Sequence, residues 1–326
     1  MDLKLSYKNA ERILEVEDGE VPYLRYPLLS DTGIVKHGFS TRLGGVSEGC
    51  YASMNLSFTR GDREEDVREN FCRIADAIGV RCEDMVFSQQ THTSNVRVVT
   101  EADRGMGITR PLAWQDVDGL VTDVPGICLV TFYADCVPLF FVDPVKKVIG
   151  LSHSGWRGTV KRMGQVTVDA MKEAFGTKPE DLIACVGPSI CRDCFEVGGE
   201  VVEEFREAFW AGTPGSAVLP RKRPGKYQLD LWKANEIIFR EAGIHQENIH
   251  ITNICTCATA IISFHTGKWG RSGETWQRFC ALSSVRSAKE KGRGAIWMYY
   301  WRSGLLYAAY RLLWRTTDRR SISTFG

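Results

Sequence analysis

Through its first 285 residues the chain alternates between short apolar runs and longer segments whose apolar side chains recur every three or four positions. The runs are 96–100, 127–133, 138–142, 148–152, 182–186 and 249–254. Continuous apolar runs of this length suit strands buried on both faces, which requires helices to cover the sheet. Between them, 66–78 reads as a helix with Val67, Phe71, Ile74, Ala75 and Ile78 on one face and Gly79 as its stop. A second helix is predicted to be capped by Thr159, to carry Val160, Met163, Ala170, Met171 and Ala174, and to end at Gly176. Residues 198–209 and 231–242 read as helices too, the latter capped by Asp230 and ended by Gly243. From Ile127 to Asp143, two strands joined through Ala134-Asp135-Cys136 fit a close antiparallel turn. The expected class is α/β with a mixed sheet.

With 326 residues, 44% of them apolar and 25% charged, the chain can bury a sizeable core. The expected division is a catalytic domain over 1–284 and a basic, aromatic-rich extension over 285–326. Forty-one basic and 40 acidic side chains leave a net charge of +1, which gives no general reason to expect nucleic acid or a membrane as partner. The extension departs from that balance, with nine basic and two acidic residues over 286–326. Arginines alternate there with Trp297, Tyr299, Tyr300, Trp301, Tyr307, Tyr310 and Trp314. Such a segment suits RNA or an anionic membrane surface. The reading favoured instead is an add-on unrelated to the activity, or an out-of-frame end, because no clean amphipathic period runs through it. The first twenty residues hold no apolar run, and no stretch is apolar enough to span a bilayer, so the cytoplasm is the expected compartment. Eleven cysteines at irregular spacings read as thiols or metal ligands rather than a disulfide framework.

Three residues stand where α/β proteins display reactive groups. His92 follows Ser88-Gln89-Gln90-Thr91, just before a strand run. Cys136 sits at the turn between two apolar runs. His153 opens Ser154-Gly155-Trp156-Arg157-Gly158-Thr159, a strand-to-helix turn. If the three converge, two imidazoles and a thiolate fill three positions of a tetrahedral zinc and leave the fourth open for catalysis. The same residues also permit a metal-free hydrolase in which a histidine activates the Cys136 thiolate as nucleophile. Ser40-Thr41-Arg42-Leu43-Gly44-Gly45-Val46-Ser47, Trp156-Arg157-Gly158-Thr159 and Gly270-Arg271-Ser272-Gly273 are turns suited to an anion. No phosphate-loop or dinucleotide glycine motif is present, so a nucleoside-triphosphate or dinucleotide enzyme is unsupported. Cys191-Arg192-Asp193-Cys194 and Cys255-Thr256-Cys257 invite a zinc or redox reading, the first as a redox pair or half a zinc site, but they lack a completing pair at useful spacing and read as structural thiols.

An ordered set of segments carries a resemblance. It runs through His37-Gly38-Phe39-Ser40-Thr41-Arg42-Leu43-Gly44-Gly45-Val46-Ser47, Met54-Asn55-Leu56, Gly61-Asp62 and Asn70. It continues through Gln90-Thr91-His92, Asp118-Gly119-Leu120-Val121-Thr122, Ala134-Asp135-Cys136-Val137-Pro138 and His153-Ser154-Gly155-Trp156-Arg157-Gly158. Gly187-Pro188-Ser189-Ile190 and Phe195-Glu196-Val197-Gly198 close it. Over about residues 30–260 the chain resembles the laccase-domain (YfiH-like) family, once called polyphenol oxidases and now regarded as purine nucleoside phosphorylases. The resemblance implies a three-layer α/β/α sandwich with mixed β-sheet and a zinc held by His92, Cys136 and His153. It implies phosphorolysis of adenosine, inosine and S-methyl-5'-thioadenosine, with adenosine deamination beside it. Cys136, His153 and Arg42 are the expected catalytic residues. Arg42, Arg157, Asn55 and Asp118 are expected to bind phosphate and nucleoside. Copper fits less well, since six histidines cannot serve several copper centres. Of the family's closing aromatic-Ser-Tyr/His-Arg-Arg block and following Gly-Arg, the chain has only Ser263-Phe264-His265 and Gly270-Arg271, without the expected arginines, and an out-of-frame end after about residue 257 would explain both this loss and the basic tail. A binding protein acting on RNA or a membrane through the basic tail is the non-catalytic alternative.

Overall fold

A computed structural model of the protein describes residues 5, 7–9, 11, 13–209, 221–259 and 278–284. The expectations for 260–277 and 285–326, including the basic extension, lie outside the described residues. The first half contains β1 (Glu15–Glu17), β2 (Tyr23–Arg25), α1 (Pro27–Asp31), β3 (Val35–Ser40), α2 (Glu64–Ile78), β4 (Met85–Phe87), β5 (Val96–Val98), β6 (Gly119–Thr122), β7 (Cys128–Tyr133) and β8 (Val137–Asp143). Then follow β9 (Val148–Ser154), α3 (Trp156–Val160), α4 (Met163–Phe175), β10 (Ile183–Val186), β11 (Glu196–Val197) and α5 (Gly199–Phe209). The last are β12 (Arg221–Arg223), β13 (Lys226–Gln228), α6 (Leu231–Glu241), β14 (Ile249–Ile251) and β15 (Arg278–Ser284).

The class is α/β, and both large sheets are mixed. One runs β1-β2-β3-β15-β7-β4, antiparallel except for the parallel β4–β7 pair. The other runs β14-β10-β8-β9-β6-β5, with parallel pairs at both edges. The β layer between the helices is therefore double, and side-chain alternation shows why. Along β7, Leu129 and Tyr133 point into a core shared with Phe140 and Val142 of β8 and Leu151 of β9. Cys128 and Val130, one position off, pack against Val67, Phe71 and Ile74 of α2. Along β8 the outward set is Val137, Leu139 and Phe141, covered by Val168 and Met171 of α4 and Ile238 and Phe239 of α6. Each fully buried Leu or Phe contributes on the order of 1.5–3 kcal/mol, so both faces of each strand are committed.

The hairpin expected between 127 and 143 does not form. β7 and β8 belong to different sheets, and Ala134-Asp135-Cys136 carries the chain from one to the other. β7 already has β15 and β4 as neighbours, and β8 has β10 and β9, so neither has an edge to offer. The predicted cap at Thr159 is also corrected. Thr159 lies inside α3, where its hydroxyl bonds the Gly155 carbonyl at 3.0 Å, and α4 begins separately after Arg162, whose φ is +59°. The remaining helix signals hold. Gly79 is left-handed at φ +80° and closes α2 onto the Ala75 and Asp76 carbonyls. The Asp230 side chain accepts the Lys233 N–H at 3.0 Å at the start of α6. Among the described residues no helix is long and apolar enough to cross a membrane.

Candidate metal centre

The crossing from β7 to β8 ends at Cys136, and the register of β8 against β9 sets Pro138 opposite His153. Cys136 and His153 are thus brought together by neighbouring strands. His92 arrives from the loop between β4 and β5. Gln90 clamps that loop to the end of β7, its side-chain amide giving Nε2 to the Phe132 carbonyl at 2.6 Å and accepting the Phe132 N–H at 2.7 Å. His92 itself has φ +65°, a left-handed conformation uncommon outside glycine.

Asp118, just before β6, explains how that turn is held. Its carboxylate accepts the N–H groups of Thr91 (3.1 Å), His92 (3.1 Å) and Thr93 (2.9 Å) and the Thr93 hydroxyl (2.7 Å). A further contact at 2.8 Å joins it to Nδ1 of His153. The imidazole N–H donates there, which leaves Nε2 of His153 as its ligand atom. Burial acts to raise the Asp118 carboxyl, but the His153 and Thr93 hydrogen bonds hold it below its ordinary value. Asp118, expected among the nucleoside-binding residues, is fully buried, and both its oxygens are engaged by His153 and the 91–93 turn.

One donor atom from each of His92, Cys136 and His153 lies within 4.8 Å of the other two, and Cys136 Sγ is 3.8 Å from His92 Nε2. Ligand atoms on a tetrahedral zinc stand about 3.5 Å apart, given metal–ligand bonds of roughly 2.0–2.3 Å. The group can hold a metal ion with little movement. Burial pushes the Cys136 thiol up, yet the His153 and His92 imidazoles outweigh it and bring it down to about 6. Burial lowers His153, and the Cys136 thiolate and Asp118 raise it to about 9. The opposed shifts favour a thiolate beside an imidazolium when no metal is bound. Gly155 closes the group from one side. A Cβ there would stand 2.9 Å from Cys136 Sγ and 3.0 Å from His92 Cδ2.

The expected anion-binding residues fall in two places. Arg157 is exposed in the first turn of α3, four residues past His153, with its guanidinium 4.2 Å from the Trp156 ring centre. Arg42 and Asn55 belong to a different network, built on Asn70 of α2. The Asn70 amide donates to the Ser47 hydroxyl, the Ser53 carbonyl and the Asn55 carbonyl, and accepts the Val46 N–H. Asn55 Nδ2 donates to Asp62 at 2.9 Å, and Arg42 Nη2 to the Ala52 carbonyl at 3.4 Å. Sequence reasoning missed Thr93 and Gly155. A glycine directly after the ligand-bearing strand was the available signal for Gly155.

A model of the family described as multi-copper polyphenol oxidoreductase laccase matches residues 36–276. The chain is similar to the purine nucleoside phosphorylase YlmD of Bacillus subtilis, 37% identical over 240 residues, which cover 72% of this chain and 84% of that protein. It is also similar to adenosine deaminase RL5 of an unknown prokaryotic organism, 36% identical over 241 residues, covering 73% and 91%. The crystal structure of YlmD from Geobacillus stearothermophilus superposes with a TM-score of 0.76 at 30% identity, over 84% of this chain and 99% of that one.

Proposed function

The chain belongs to the multi-copper polyphenol oxidoreductase laccase family, and from that membership we propose that it is a zinc-dependent purine nucleoside phosphorylase with adenosine deaminase activity beside it. The observation that carries the reading is the His92, Cys136, His153 group with Asp118 locked behind His153. Two imidazoles and one thiolate leave a fourth tetrahedral position for water or substrate, the pattern of a catalytic zinc. Multicopper oxidation needs several copper centres, and six histidines in the whole sequence do not supply them. The names of the relatives support the substrate class.

In phosphorolysis a phosphate oxygen bonds to the anomeric carbon while the bond to the purine nitrogen breaks and the base leaves with a proton. The chain's task is to hold an anion against a neutral nucleoside. Arg42 and Arg157 are assigned to the phosphate, because a guanidinium fork matches its oxygens. Asn55 is assigned to the nucleoside. Its Oδ1 is buried with no hydrogen-bond partner among the described residues, so a sugar hydroxyl would satisfy it. In deamination water replaces the amine on the purine ring and ammonia leaves. When bound, zinc supplies a lowered pKa for water and polarises the reacting centre. His92, Cys136 and His153 hold it, and Asp118 keeps the His153 proton on Nδ1.

The test pairs zinc analysis with base release from adenosine, inosine and S-methyl-5'-thioadenosine. Base release is expected only with phosphate present, and His92→Ala or His153→Ala should remove zinc and activity together. Phosphate-independent turnover in a chain that binds no zinc at this group would defeat the reading. A second reading, a metal-free cysteine hydrolase, draws on the thiolate–imidazolium pair at Cys136 and His153. A covalent adduct between Cys136 and substrate would select it.

A further inference from the structure

The sequence leaves Cys191-x-x-Cys194 without a second pair, but the fold supplies one. The segment after β10 and the segment after β14 run side by side, because those two strands are parallel neighbours. The pairing continues past the sheet: Thr252 N–H bonds the Val186 carbonyl at 3.0 Å, and Thr256 N–H bonds the Ser189 carbonyl at 3.1 Å. Cys191 and Cys255, 64 residues apart, meet there, with the Cys191 N–H directed at Cys255 Sγ at 3.3 Å. A tight turn, closed by Cys194 N–H on the Cys191 carbonyl at 3.0 Å, folds Cys194 back onto the pair. The sulfurs of Cys191, Cys194 and Cys255 all lie within 4.8 Å of one another. Cys257 lies two residues past Cys255 on the same segment, half-buried, and offers a fourth thiol. All four are free thiols.

We propose that Cys191, Cys194, Cys255 and Cys257 form a second metal site, a thiolate-only clamp for zinc, distinct from the His92–Cys136–His153 group. Sulfurs on a tetrahedral zinc stand about 3.8 Å apart, given Zn–S bonds near 2.3 Å, so a small contraction of the cluster completes the site. A closed set of four thiolates leaves no position for substrate, which makes the site structural. Two further features fit a bound cation with excess thiolate charge. The Cys191 N–H already points at a sulfur, the usual outer support of a zinc thiolate. The Lys8 ammonium, held by Asp193 of the Cys191–Cys194 turn at 3.2 Å, supplies counter-charge.

The clamp also has something to hold. Ile190 N–H bonds the Asp135 carbonyl at 3.0 Å, and the Thr256 hydroxyl bonds Asp135 Oδ1 at 2.7 Å. Each of these residues adjoins a clamp cysteine, and Asp135 adjoins Cys136. Zinc in the clamp would tie together the two loops that position the crossing into the catalytic group.

The test uses the full chain and reads a difference, so it does not depend on what the His92 group binds. Zinc content is measured for wild type and for Cys191→Ser/Cys255→Ser after equal exposure to zinc. The expected result is a loss of about one zinc per chain in the double variant. As a measurement independent of the variant's folding, wild-type chain is also stripped with chelator, divided, and alkylated with and without added zinc, and the peptides are resolved by mass. Zinc should protect Cys194 and Cys257 from labelling while exposed Cys50 labels equally in both samples. Equal labelling of Cys194 and Cys257 with and without zinc would overturn the proposal. So would a disulfide among the four in chain purified without oxidant, or unchanged zinc content in a folded double variant.

Discussion

Asp118 Oδ1 accepts the ring N–H of His153 at 2.8 Å and the backbone N–H of His92 at 3.1 Å. One carboxylate oxygen therefore places two of the three donors, although its partners approach from β9 and from a loop outside the sheet. The link is stiff because Asp118 is fully buried and its other oxygen is occupied by Thr91 and Thr93.

Asp118→Asn separates this orienting role from general stability. Asparagine keeps the shape, but its amide nitrogen cannot accept, so either His153 Nδ1–H or the turn amides lose a partner. Zinc affinity is expected to fall about 10–100-fold, as for other losses of a carboxylate behind a ligating histidine. Competition with a chromophoric chelator measures it. Asp118→Ala should also lower unfolding stability, by about 2–4 kcal/mol in urea, since several buried donors lose their acceptor. Unchanged zinc affinity in Asp118→Asn would remove Asp118 from the site.

The pH behaviour of the metal-free chain follows from the opposed shifts of Cys136 and His153. A histidine raised to about 9 stabilises the fold below its unfolded pKa and loses that contribution as pH rises through about 9. A thiol lowered to about 6 stabilises above its unfolded pKa and loses that contribution as pH falls through about 6. The pair therefore supports the metal-free fold between those limits, as one coupled interaction rather than two. At neutral pH, zinc meets a thiolate already formed and an imidazolium that must give up its Nε2 proton. Binding should release about one proton from this pair and weaken as the solution is acidified. Calorimetry in buffers of different ionisation enthalpy counts the protons, and no release at pH 7 would contradict the pairing.

Much of the scaffold was legible because its signals are local. The apolar periodicity of α2 is a local pattern, and the Gly79 stop and the Asp230 cap rest on contacts within a few residues. The β7–β8 hairpin failed because two apolar runs beside a short turn do not reveal which other strands compete for their edges. Those competitors are β15 and β4 for β7 and β10 and β9 for β8, and β15 lies far away in the chain. The ligand residues could be picked out from their motifs, but not their convergence, since Cys136 and His92 are 44 residues apart. Asp118 stands out by its motif but its contacts to His153 and the 91–93 turn do not, because a carboxylate before a strand reads the same whether it faces a ligand or stands behind one. The Cys-x-x-Cys is recognisable as half a metal site, but the cysteines that complete it are not, for a related reason. A Cys-x-x-Cys and a Cys-x-Cys become one cluster only once β10 and β14 are known to be parallel neighbours.

Gly155→Ala tests how closely the group is packed. Gly155 has φ −67°, which alanine adopts freely, so any effect comes from the added methyl. That methyl meets Cys136 and His92 inside normal contact distance. Overpacking should cost about 1–3 kcal/mol of stability and displace the two ligands, with zinc retention falling alongside. Full zinc content at wild-type stability would mean that the turn yields without disturbing the ligands.

For Arg157→Lys, exposure and stacking on Trp156 make a purely structural role small. Lysine keeps the charge and loses the planar fork, so KM for phosphate should rise about tenfold with little change in Tm. Arg42→Lys should raise the same KM, with some loss of stability from its contact to the Ala52 carbonyl. A collapsed Tm with unchanged phosphate dependence would assign either arginine to the fold.

Cys136 decides between ligand and nucleophile. As a ligand its thiolate is held by zinc and hidden from alkylation, so metallated enzyme should resist iodoacetamide and chelation should restore labelling. In metal-free chain the labelling rate should rise through a midpoint near pH 6, well below an ordinary thiol, because the imidazoles stabilise the thiolate. Cys136→Asp, which can still bind zinc, should keep more metal and more turnover than Cys136→Ala. A nucleophile predicts the reverse ordering of facts: Asp and Ala equally dead, turnover indifferent to chelation, and rapid labelling in the fully active enzyme. Peptide-resolved mass spectrometry is needed, because the chain has eleven cysteines and the clamp thiols also respond to zinc. Labelling of Cys136 at full rate in zinc-loaded, turning-over enzyme would exclude it as a ligand.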